Sequence, residues 1–152
     1  MSEYRNIVFC SDFSKNANHA YAEAAKVASA LGATLFVLHV VPGAPPPSGG
    51  QGAHTDGALG KLREAYPAAG AEYAVLHGNE AVQILSFAEE KDAGLIVIGA
   101  RGIGALAGLF GGGSVADRIL KNAKIPVLVV PAEASGESKP VADDPHTVRI
   151  HV

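Results

Sequence analysis

The chain is most tightly constrained by a rhythm in its hydrophobic residues: short, nearly continuous apolar runs, separated by stretches with helical spacing. The runs are Ile7 to Cys10, Thr34 to Val41, Glu72 to His77, Leu95 to Ile98 and Ile125 to Val130. A strand with one wet face alternates apolar and polar residues. A run such as Leu95-Ile-Val-Ile98 is apolar on both faces and has to be covered on both. From Lys15 to Leu31, the residues Ala17, Ala20, Tyr21, Ala24, Val27, Ala28 and Leu31 recur at helical intervals. Ser14 is placed to cap that helix and Gly32 to end it. A shorter helix is predicted from Ala58 to Tyr66, cut off by Pro67. Asn79 caps a third, with Ala81, Ile84, Leu85 and Ala88 inward, and Val115 to Ala123 forms a fourth, with Val115, Ile119, Leu120 and Ala123 inward. Pro126 opens the last strand, where its missing N–H is tolerated. Strands alternating with helices predict an α/β fold: a single open, doubly wound five-stranded parallel sheet with helices on both faces. Right-handed crossovers leave few topologies, and 3-2-1-4-5 is the expected strand order.

Residues 1–131 are expected to form the one domain and 132–152 a polar tail. With 48% hydrophobic against 18% charged residues, the 152-residue chain has the apolar material for a closed core. Residues 42–56, rich in Pro, Gly, Ser and Ala, read as a flexible loop too short to link domains. The tail ends in Thr147 to Val152, which alternates as an added edge strand would. Lys and Arg number 12 against 15 acidic residues, and no basic stripe appears, so neither nucleic acid nor an anionic membrane is an expected partner. No apolar stretch is long enough to span a bilayer, the start carries no signal-peptide pattern, and Cys10 is the single cysteine. A cytoplasmic location with no internal disulfide is the expectation.

In open parallel sheets, ligands sit beyond the carboxyl ends of the strands, where strand order reverses. If the order is 3-2-1-4-5, the reversal falls between strands one and four, and the segments leaving those two strands have unusual chemistry. One is Ser11-Asp12; the other runs from Gly99 to Ser114 and places seven glycines in sixteen residues. So many glycines are entropically unfavourable in a merely structural connection, but they let backbone amides approach a ligand with no Cβ in the way. Directly ahead of a helix, such amides and the helix dipole together hold phosphate oxygens. Ser114 can cap that helix or meet a phosphate. The P-loop pattern fails because no lysine precedes Ser114. Two loose matches to the dinucleotide pattern, from Gly102 and Gly111, follow the fourth strand instead of the first and lack the partner acid.

These segments resemble the universal stress protein family, from about Tyr4 to Pro131. The family's nucleotide-binding branch carries G-x2-G-x9-G-[ST]. Here Gly99-Ala-Arg-Gly102 supplies the first half and Gly113-Ser114 the second, with ten residues in the gap instead of nine. Ser11-Asp12-Phe13-Ser14, Leu38-His39-Val40 and Ala123-Lys-Ile-Pro126-Val-Leu-Val-Val130 carry the rest of the likeness. The resemblance implies an adenine nucleotide as ligand, ATP or else AMP or ADP, with Mg²⁺ or Mn²⁺ arriving on the phosphates. It implies Asp12 beside the ribose and adenine edge, Val40 meeting adenine through its backbone, and Gly99 and Gly102 along the ribose-phosphate path. Gly113, Ser114 and Val115 would hold the phosphates. Ala116 stands where some relatives have a hydroxyl, which removes one contact. A homodimer is implied as well, formed by the apolar edge strand Val127 to Val130 pairing antiparallel with its twofold mate.

Arg101, inside the glycine segment, is either a phosphate partner or an exposed cation. His39 reads as a packed, hydrogen-bonded histidine, Cys10 as an inert buried thiol, and the six histidines show no metal-ligand spacing. No acid is tied by motif to an attacking water. The expected function is an adenine-nucleotide-binding regulatory protein of the stress response, acting through a dimer. Two alternatives stay open: a nucleotide-free dimeric interaction module, and a slow ATPase.

Overall fold

The computed structural model describes residues 4–45, 51–100 and 114–131. Strand β1 (Asn6–Cys10) is followed by α1 (Lys15–Leu31), β2 (Thr34–Val41), α2 (Gln51–Ala65), β3 (Glu72–His77) and α3 (Glu80–Glu90). Then come β4 (Leu95–Gly99), α4 (Val115–Asn122) and β5 (Val127–Val130). The sheet has the order β3-β2-β1-β4-β5, and every pairing is parallel, as the apolar rhythm predicts.

The runs of the central strands β1, β2 and β4 are buried because each feeds two cores. Ile7 and Phe9 of β1 join Val37 and Val97 in a cluster with the small face of α1 and with Leu62 and Tyr66. Val8 joins Leu38, Ile96 and Ile98 in the opposite cluster, beneath α3 and α4. Ile7, Val8 and Phe9 are 0% exposed, and full burial of such side chains contributes about 1.5–3 kcal/mol each. The stripe Ala17, Ala20, Ala24 and Ala28 is buried and lets α1 lie close to the sheet. The α1 ends follow local chemistry. Ser14 Oγ accepts from the Ala17 amide, and Gly32, at a φ of 63°, turns the chain out.

Several sequence expectations shift. Helix α2 begins at Gln51, so the last part of the segment expected as a loop over residues 42–56 is helical. Glycines at 52, 57 and 60 mask it in the sequence, while Leu62 and Tyr66 anchor its far end in the core. Leu120, expected inward, is 50% exposed; the buried face of α4 is Ala116 and Ile119. Phe87, not singled out from the pattern, is buried on α3. The glycine segment from residue 101 to 113 and the tail strand expected at Thr147 to Val152 lie outside the described residues. Among the described residues, no helix is long and apolar enough to cross a membrane.

Candidate functional site

The chain leaving β1 makes an unusual turn. Ser11, 1% exposed, donates its amide to the Leu38 carbonyl at 2.9 Å, and its own carbonyl accepts from His39 Nδ1–H at 2.7 Å. Its hydroxyl accepts from the Phe13 amide at 2.9 Å. Phe13 sits at a φ of 62°, a left-handed conformation that a bulky residue rarely adopts. Asp12 Oδ1 accepts from the Ser14 amide at 2.9 Å, and Ser14 in turn caps α1. Asp12 is therefore carried by a hydrogen-bonded, strained turn and not by a loose loop.

On the other side of the sheet reversal, Gly99 ends β4 directly against the first turn of α1. A Cβ at Gly99 would lie 2.9 Å from the Asn16 carbonyl oxygen, so glycine is required there for packing. The start of α4 lies nearby. Ser114 Oγ accepts from the Asp117 amide at 3.2 Å, which settles its capping role. The next amides, Val115 and Ala116, belong to the first turn, where a helix offers no internal acceptor.

These pieces enclose a cavity of about 330 Å³, within the range of small-molecule sites. Val40, Ile84 and Ile98 give it apolar walls, Asp12 and Glu80 give it carboxylates, and Ser114, Val115 and Ala116 bring the helix N-terminus. Of the residues predicted for the site, Asp12, Val40, Gly99, Ser114 and Val115 all line this one cavity. Arg101, Gly102 and Gly113 lie outside the described residues. His39 is packed and hydrogen-bonded, as expected, with its ring 4.6 Å from that of Phe13. Cys10 is in the cavity wall. Burial pushes its thiol well above the ordinary range, and the charges of Glu80 and Asp12 push it further, so it stays a neutral, poor nucleophile.

Glu80, Ile84 and Asn16 line the cavity without having been foreseen. Glu80 follows the Asn79 cap at the start of α3, away from the two segments at the sheet reversal, and only the folding of α3 over β1 brings it in. Among the described residues, no group of three or more His, Cys, Asp or Glu side chains is arranged to hold a metal ion.

Residues 3–131 match the universal stress protein family. A segment of 56 residues is 50% identical to universal stress protein MJ0531 of Methanocaldococcus jannaschii, covering 37% of this chain and 32% of that protein. The chain thus matches about a third of the length of that relative. Among solved structures, a universal stress protein in complex with cAMP superposes with a TM-score of 0.74 at 22% identity, covering 87% of this chain and 100% of the other. The universal stress protein from Archaeoglobus fulgidus in complex with dAMP gives 0.61 at 27% identity, covering 85% and 99%. Sheet order, the turn at Asp12, the helix start at Ser114 and the match across residues 3–131 agree: the chain belongs to the universal stress protein family.

Proposed function

We propose that this protein binds an adenine nucleotide in the cavity between β1 and β4 and acts as a nucleotide-responsive regulatory protein of the stress response. The observation that carries the reading is the cavity itself, where first-turn amides of α4 share one space with Asp12 and Val40. A helix start supplies donors and a positive dipole end for phosphate, and an apolar wall suits a purine. The dAMP complex of the Archaeoglobus fulgidus relative supports a ligand of this class. In this reading Val40 meets the adenine, Asp12 the ribose and adenine edge, and Gly99 the ribose-phosphate path. Ser114 and Val115 take the phosphates, joined by Arg101, Gly102 and Gly113 from the glycine segment.

ATP, ADP and AMP share the adenosine and first phosphate that such a site reads. Mg²⁺ or Mn²⁺ would come with the longer phosphates. The protein would act as a dimer in the cytoplasm, where the lone Cys10 remains reduced. Calorimetric titration with ATP, ADP and AMP in the presence of Mg²⁺ tests the reading. Saturable binding of at least one is expected; silence with all three at millimolar ligand would leave a nucleotide-free interaction module as the better description.

A further inference from the structure

We infer that Tyr66 is a positioning residue for the nucleotide site: its hydroxyl, presented just beyond α2, fixes the strained turn that delivers Asp12 to the cavity. The inference rests on the nucleotide reading above. Tyr66 is 1% exposed, and its ring is held by Phe9, Tyr21 and Phe13, with centroids 5.3, 4.9 and 6.2 Å away. Its hydroxyl lies 2.5 Å from Ser11 Oγ and 2.7 Å from Asn18 Oδ1.

The direction of these bonds follows from the groups involved. A carboxamide oxygen only accepts, so the phenol proton goes to Asn18. The Ser11 hydroxyl must then donate to the phenol oxygen, which leaves its own lone pairs for the Phe13 amide. One chain results, from Phe13 N–H through Ser11 and Tyr66 to Asn18 on α1, with every proton used. Burial pushes the Tyr66 phenol above its ordinary range, so the chain keeps its proton across physiological pH. Helix α2 grips the same turn a second time, with Lys61 Nζ 4.4 Å from the centre of the Phe13 ring.

Phenylalanine at position 66 would fill the same space but break the chain. Ser11 would lose its acceptor and be free to rotate away from the Phe13 amide. Nothing else described bonds that amide in place, and Asp12 lies between the two residues. The turn would relax from its left-handed geometry and carry the carboxylate with it.

The test is Tyr66→Phe, read by amide hydrogen exchange and by calorimetric titration with AMP. Exchange at the Phe13 amide is expected to rise about tenfold or more while Ile7 to Phe9 stay protected, and AMP affinity to fall about tenfold. A residue that merely stabilises the fold would shift all these amides together. Unchanged exchange at Phe13, a uniform rise, or wild-type AMP affinity in the variant would each overturn the role. If Tyr66→Phe does not fold, Ser11→Ala removes the same link and takes its place. Wild-type protein that binds none of AMP, ADP and ATP would sink the nucleotide reading itself, whereas wild-type binding that Tyr66→Phe leaves intact sinks the Tyr66 role alone. Where the wild type prefers ADP or ATP, that nucleotide replaces AMP in the titration.

Discussion

Ser114 shows how one hydroxyl can face two demands. Its oxygen accepts the Asp117 amide and so starts α4, and in the proposed reading its proton would go to a phosphate oxygen of the nucleotide. Ser114→Ala removes both functions: loss of the cap costs about 1 kcal/mol of stability, and loss of a bond to a charged phosphate about 1–3 kcal/mol of binding. Ser114→Asp separates them. Aspartate caps as well as serine and suits the dipole, so the melting temperature should stay near that of the wild type. Its charge would oppose a phosphate at the same spot, so AMP binding should be lost. Calorimetric melting and titration of the two variants check this, and a Ser114→Asp protein that binds AMP normally would remove the phosphate from α4. The caps at Ser14, Asn79 and Ser114 were legible in the sequence because capping is a contact over three residues. Tyr66 and Glu80 were not legible, because each reaches the site from an element that only tertiary packing brings near.

At the level of elements, the apolar runs and helical periods pointed to a parallel sheet covered on both faces, and the strand order expected for it is the one found. The start of α2 was hidden because glycines lower helix propensity, and the helix relies on Leu62 and Tyr66 docking in the core. Two glycines make opposite predictions. Gly99→Ala places a Cβ 2.9 Å from the Asn16 carbonyl, a backbone atom that cannot rotate aside. The α1 start must shift, at about 1–3 kcal/mol of stability, and the cavity wall at Asn16 and Ala17 moves with it. Gly57 lies within α2 with nothing inside 4 Å of an added Cβ. Gly57→Ala should stabilise by about 0.5–1 kcal/mol and leave binding unchanged. Urea melting of both variants, with AMP titration, reads the contrast; equal effects from the two would refute the close-packing role of Gly99.

At the scale of the whole molecule, β5 forms one edge of the sheet among the described residues. In the sheet of described residues β5 pairs with β4 on one side only, and Val127, Leu128 and Val129 are half-buried. Val127 and Val129 pack with the α3–α4 core and Leu128 with the α1–α2 core, so an added strand would extend both cores at once. An apolar edge of this kind invites pairing, and in the proposed dimer a twofold antiparallel mate would satisfy it. The Ile96 amide donates to the Pro126 carbonyl and the Ala100 amide to Val130, so positions 126 and 130 serve β4. Strand alternation then directs the amides of Val127 and Val129 outward. Val129→Pro deletes an outward donor while keeping the β4 ladder, a substitution that edge strands tolerate. Light scattering at micromolar concentration should show a dimer for the wild type and a monomer for Val129→Pro, with matching far-UV circular dichroism. A wild-type monomer would refute the dimer, and a proline variant that still pairs would place the contact away from this edge.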